Sequence, residues 1–148
     1  MTKSITSKNV VFYADDDLDD LELVKEAFAQ YSKNVDIVTA TDGSRALSYL
    51  TNLKKTDVLP CLIILDVNMP VINGREVLKR LREVELFKDV PVVLFSTSSQ
   101  PVDKSFAKWY NAGFITKPID VKQMELIADQ FIEYCSEENQ KKIRSQIQ

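Results

Sequence analysis

Five short runs of mostly β-branched and other apolar residues, each followed by a stretch with helical apolar spacing, constrain this chain more than any other feature. The runs lie at 10–14, 35–40, 61–65, 92–95 and 113–116. After them, apolar residues recur every three or four positions, as on one face of a helix. Leu21, Val24, Ala27, Phe28 and Tyr31 form the first such set, and Ala46, Leu47 and Leu50 the second. A third helix is expected over 75–84, and a fourth from Pro101 to about residue 111. The proline suits a first turn, where its missing N–H costs nothing. A fifth begins at Asp120 and carries Met124, Ile127, Ala128, Phe131 and Cys135 on one face. The third strand, Cys-Leu-Ile-Ile-Leu, is apolar at every position. That suits a strand covered on both faces, not one with a wet side. Strand and helix in strict alternation predict an α/β fold. It is a single doubly wound (βα)5 domain with a parallel five-stranded sheet, flavodoxin-like, of order 2-1-3-4-5.

With 148 residues the chain fits one domain and a sizeable core. The domain is expected over 9–134, with no repeat, linker or output domain. From residue 136 the sequence reads SEENQKKIRSQIQ, too polar for a core. The segment 135–148 is therefore expected as a polar C-terminal helical extension or tail. No apolar run approaches the roughly 18 residues of a membrane span. The start, MTKSITSKN, lacks the apolar centre of an export signal. A cytoplasmic location with no membrane contact is expected, and Cys61 and Cys135 are expected as reduced thiols. A net charge of −3 argues against a nucleic-acid surface. The chain has no histidine, which removes His-based triads and most zinc sites.

The first strand runs into VVFYADDDLDD, where Asp15, Asp16, Asp17, Asp19 and Asp20 put five carboxylates in six positions. Like charges this close repel and raise one another's pKa. In the order 2-1-3-4-5 the winding reverses between strands 1 and 3, and ligands bind beyond the carboxyl ends there. Strand 1 ends at Asp15-Asp16 and strand 3 at Asp66. The topology therefore brings three carboxylates into one crevice, which suits a hard cation such as Mg²⁺. Strand 4 delivers the Ser96 hydroxyl to the same rim, and strand 5 the Lys117 ammonium. Metal, hydroxyl and ammonium can hold a phosphoryl group while a carboxylate attacks phosphorus. Asp17, Asp19 and Asp20 read as solvated first-turn residues favoured by the helix dipole. Asp15, Asp17, Asp19 and Glu26 also imitate EF-hand spacing, but Asp20 stands where that loop needs glycine.

Four pieces in order, YADDD, LIILDVNMPVINGRE, VVLFSTSS and FITKP, resemble the receiver domains of bacterial two-component response regulators. The resemblance implies that Asp66 accepts a phosphoryl group. It implies a metal site of Asp15, Asp16, Asp66 and the backbone carbonyl of Asn68, with Asp16 a direct Mg²⁺ ligand. Ser96 would hold the phosphoryl group, Lys117 would pair with it, and Phe114 would occupy an aromatic switch position. The bond between Lys117 and Pro118 matches one that is usually cis in the family. The implied partners are a histidine kinase or phosphotransfer protein as donor. Downstream, the implied contact is a protein or a second copy through helix 4, strand 5 and helix 5. Three departures stand out. Ser96 replaces the commoner Thr but keeps the hydroxyl, Thr97 is larger than usual, and Phe114 lacks the hydroxyl of the frequent Tyr.

Two other readings fit parts of the pattern. An aspartate-nucleophile phosphohydrolase also places Asp at a strand end. It uses a second Asp two positions on, where this chain has Asn68, and a substrate cap for which no insertion here is large enough. A phosphate-carrying relay module would use the same residues without a conformational output. A nucleotide-binding glycine loop is absent, since the only glycines are Gly43, Gly74 and Gly113. By sequence alone Phe114 is equally a core residue, and Trp109-Tyr110 is either a binding surface or helix packing.

Overall fold

The computed structural model describes residues 8–145. The first seven residues of the N-terminal segment and the last three of the polar tail lie outside them. Five strands form one parallel sheet: β1 (Asn9–Ala14), β2 (Val35–Ala40), β3 (Leu62–Asp66), β4 (Val92–Ser96) and β5 (Gly113–Thr116). Their order is β2-β1-β3-β4-β5, as the alternation predicts. The helices are α1 (Leu18–Phe28), α2 (Gly43–Thr51), α3 (Gly74–Arg82), α4 (Pro101–Trp109), α5 (Val121–Glu125), α6 (Ile127–Ile132) and α7 (Glu137–Arg144).

Successive side chains on a strand point to opposite faces, so each strand feeds two cores. Val11 and Tyr13 of β1, Leu62 and Ile64 of β3, and Val93 and Phe95 of β4 pack with α1, α5 and α6. Phe12, Ala14, Ile63, Leu65 and Leu94 pack with α2, α3 and α4 on the other side. The first core is threaded by aromatics. Tyr13 meets Phe95 edge-on at 6.1 Å, Phe95 meets Phe131 at 5.0 Å, and Phe131 stacks on Phe28 at 6.2 Å. Each such pair adds about 0.5–1.5 kcal/mol beyond the area it buries.

Helix starts are set by short polar side chains that accept from otherwise orphaned N–H groups. Asp17 caps α1, Asp42 caps α2, Asn73 caps α3, Asp120 caps α5 and Ser136 caps α7. Asn73-Gly74 is thus a helix start as well as a turn. Gly74 is required because a Cβ there would lie 2.2 Å from the Asp66 carbonyl oxygen.

Two expectations need correction. The single helix expected after Asp120 is two short ones. At Leu126 the bonding changes to three-residue steps, Leu126 N–H to Gln123 O and Asp129 N–H to Leu126 O. The tightened turn still leaves Met124, Ile127, Ala128, Phe131 and Cys135 buried. The C-terminal segment is not too polar to reach the core. Helix α7 docks on the first core and fully buries Ile143 there. Asn34 Nδ2 donates to the Ile143 carbonyl at 3.2 Å, and Arg144 donates to Asp129 O and Glu133 Oε2. One apolar residue suffices because polar contacts along the rest of the helix orient it. Among the described residues no helix is long and apolar enough to cross a membrane.

Candidate functional site

At the carboxyl ends of β1 and β3, parallel pairing sets Ala14 opposite Leu65. The residues that follow, Asp15 and Asp66, therefore lie side by side at the sheet's top edge. Asp15 is fully buried, Asp66 nearly so, and Asp16 is exposed. Each of the three offers a carboxylate oxygen, and these oxygens lie within 4.8 Å of one another. A buried anion needs a partner to remain charged. Asp15 has three: the Tyr13 hydroxyl donates to Oδ2 at 2.5 Å, Lys117 Nζ donates to Oδ2 at 2.8 Å, and Asp17 N–H donates to Oδ1 at 2.9 Å. Asp66 has less: the Asn68 N–H at 3.2 Å on Oδ1, and Lys117 Nζ at 3.6 Å from Oδ2.

The pKa shifts follow from this imbalance. Burial first, then the negative charge of Asp15, pushes the Asp66 carboxyl up to about 7 against the pull of Lys117 and Asn68. Burial acts to lower the Lys117 ammonium. Its hydrogen bonds to Asp15 and Asp20, with the charges of Asp15 and Asp66, outweigh that and hold it above the usual lysine value. Burial and the Asp15 charge likewise raise the Tyr13 phenol, so it stays a donor. The three carboxylate oxygens are hard donors in the number and closeness that a small divalent cation takes.

Of the remaining expected residues, Ser96 stands beside the carboxylates. Asp66 pairs in register with Phe95, so the next residue, Ser96, lies one step further along the adjacent strand. Ser96 is fully buried, and its Oγ accepts from Ser98 N–H at 3.1 Å. Lys117 N–H donates to the Ser96 carbonyl at 2.6 Å, which ties the ends of β4 and β5 together. Phe114 sits apart from the carboxylates, opposite Leu94 on the sheet and half-buried against the second core. Thr97 is exposed. The bond between Lys117 and Pro118 is trans, since no cis peptide occurs among the described residues. The cis form expected there does not occur, and proline makes the two forms nearly equal in energy. Trp109 is 83% exposed, so it is not helix packing, whereas Tyr110 packs tilted against Phe106 with ring centres 4.8 Å apart.

One residue of the site differs from its sequence expectation. Asp20, expected as a solvated first-turn residue, accepts from Lys117 Nζ at 2.8 Å across 97 positions of sequence. Only the tertiary fold brings α1 and the end of β5 together. The aspartate is the third residue of α1, and no local pattern distinguishes it from Asp19.

A sheet of this order places the acidic cluster at the switch point, where doubly wound α/β domains bind their ligands. Residues 11–129 match the family model for the response regulator receiver domain, and the chain belongs to that family. The family's role is that of a phosphoacceptor switch. The chain is 31% identical to two-component response regulator ARR7 of Arabidopsis thaliana, covering 90% of this chain and 71% of that one. It is 29% identical to hybrid signal transduction histidine kinase I of Dictyostelium discoideum, covering 86% of this chain but spanning only 7% of that protein. Among solved structures, the phosphorylated cyanobacterial phytochrome response regulator RcpA superposes with a TM-score of 0.79 at 30% identity, over 87% of this chain and 94% of that one. The Mn²⁺-bound form of response regulator Rcp1 superposes with a TM-score of 0.75 at 25% identity, over 86% and 97%.

Proposed function

We propose that this chain is a response regulator that accepts a phosphoryl group on Asp66 and signals by changing its protein contacts. The observation that carries the reading is the position of Asp66. It ends β3 within the three-carboxylate cluster, nearly buried, with Lys117 Nζ paired at 3.6 Å but not in hydrogen bond. The Asp66 oxygen attacks phosphorus, the bond from phosphorus to the donor's leaving group breaks, and that group departs with the electron pair. An acyl phosphate remains on Asp66. Asp15, Asp16, Asp66 and the Asn68 backbone carbonyl would hold Mg²⁺, which would supply positive charge against the incoming oxygens. The Mn²⁺ bound in Rcp1 and the phosphorylated state of RcpA support this reading of the cluster. Ser96 donates its hydroxyl to a phosphoryl oxygen, and Lys117 pairs with another.

The donor is a histidine kinase or phosphotransfer protein, because this chain contains no histidine to phosphorylate. The output runs through α4, β5 and the α5–α6 pair, with Phe114 as its aromatic relay, to a downstream protein or a second copy. Trp109 and the exposed Ile119 supply apolar surface near that face. The chain works in the cytoplasm and acts as a switch, not as an enzyme on other substrates. Asn68, in place of a second Asp, weighs against the phosphohydrolase reading.

The test is labelling by acetyl phosphate with Mg²⁺ and with excess chelator. Base-labile phosphate should form only with the metal. Equal labelling in chelator contradicts the proposed metal site.

A further inference from the structure

The Lys117 ammonium has three N–H donors, and two are committed to carboxylates other than Asp66. Asp15 Oδ2 and Asp20 Oδ2 each accept at 2.8 Å, while Asp66 Oδ2 stands at 3.6 Å, beyond hydrogen-bond distance. The Asp15 contact lies within the buried strand ends. The Asp20 contact comes from α1, where the aspartate is held in the first turn by its N–H bond to Asp17 Oδ1 at 3.2 Å. The lysine is itself nearly enclosed, with its ammonium 5.4 Å from the Phe95 ring centre, so its freedom to satisfy all three anions at once is small.

We infer that Asp20 is a positioning residue: it latches Lys117 short of the acceptor, and a phosphoryl group on Asp66 must win the lysine from it. The inference rests on the proposed phosphoacceptor reading and extends it to a residue outside the expected site. The physical argument is competition. A phosphoryl group brings more charge and more acceptor oxygens than a carboxylate. It therefore draws the ammonium toward Asp66, and the contact between α1 and the end of β5 loosens. A ligand shifts an equilibrium only by its differential affinity for the two states. The Asp20 contact subtracts from that difference, so removing it should favour the phosphoryl-bound arrangement.

The experiment titrates the full chain with beryllofluoride, a phosphoryl mimic, at saturating Mg²⁺, followed by ¹⁹F resonance. Asp20→Asn keeps the shape and removes the competing charge. Asp19→Asn removes the same charge one residue away without touching Lys117, and Asp20→Glu keeps the carboxylate. Denaturation midpoints show that each variant is folded. The expected result is mimic binding about fivefold tighter in Asp20→Asn, the scale of one partly exposed ion pair. Asp19→Asn and Asp20→Glu should stay near wild type. Equal affinity in Asp20→Asn and Asp19→Asn, or weaker binding in Asp20→Asn, overturns the latch while leaving the phosphoacceptor reading intact. Failure of the wild type to bind the mimic at all overturns both.

Discussion

The Gly74 Cα faces the Asp66 carbonyl so closely that a Cβ there would lie 2.2 Å from the oxygen, and Gly74 N–H donates to Val67 O at 3.0 Å. Helix α3 thus abuts the strand end that carries Asp66. Gly74→Ala must push α3 away or shift Asp66. Such overpacking costs about 1–3 kcal/mol. Denaturant unfolding should show that loss, and metal affinity should fall with it, because the Asp66 carboxylate moves relative to Asp15. Wild-type stability would show that the two backbones separate freely.

Val71 offers the opposite sign. It has φ 69°, and Ile72 N–H donates to Pro70 O at 2.8 Å, a three-residue turn closed around a β-branched residue. The left-handed region costs a non-glycine residue roughly 1–2 kcal/mol. The side chain is exposed, so removing it forfeits little packing. Glycine gives back part of the gain through the entropy of the unfolded chain. Val71→Gly should therefore stabilise by about 0.5–1 kcal/mol in chemical denaturation. A clear loss of stability would mean that the strain is relieved elsewhere in the turn.

The docked C-terminal helix makes its own prediction. Ile143 is fully buried among residues of α1, α5 and α6. Ile143→Ala should cost about 2–5 kcal/mol, as buried large-to-small changes do. Lys141→Ala, on the exposed side of the same helix, should be near neutral. If both are neutral, α7 does not contribute to the core in solution.

How far the sequence leads depends on whether a signal is local. Strands β2 and β5 match their expected bounds, and the ends of β1 and β3 place Asp15, Asp16 and Asp66 together, because apolar runs and strand order decide them. Burial of Ile143 is not legible because composition averages over a helix, and one apolar residue among lysines and glutamates looks like surface. The role of Asp20 is not legible because its partner, Lys117, is distant in sequence and the first turn of a helix favours aspartate anyway. The break at Leu126 has no signature in the apolar spacing, which runs through it unchanged.

The Asp66 carboxyl predicts a pH dependence. Burial and the Asp15 charge hold Asp66 up to about 7, whereas unfolded Asp titrates near 3.9. Between about pH 4 and 7 the folded state keeps a proton that the unfolded state has lost, so rising pH favours unfolding. In chelator, the stability of the wild type relative to Asp66→Asn should fall across that window and level off above it. Saturating Mg²⁺ should flatten the fall, because the ion favours the carboxylate. A difference that rises with pH would place Asp66 in a cation-paired state without metal.

If Asp66 carries the phosphoryl group, mapping the modified residue shows it. The protein is incubated with acetyl phosphate and Mg²⁺, the acyl phosphate is trapped by reduction, and the modified peptide is sequenced by mass spectrometry. The expected outcome is a single modified residue, Asp66, and complete loss of base-labile phosphate in Asp66→Asn. Modification at Asp15, Asp16 or Asp20 in the wild type, or undiminished labelling of Asp66→Asn, would contradict it.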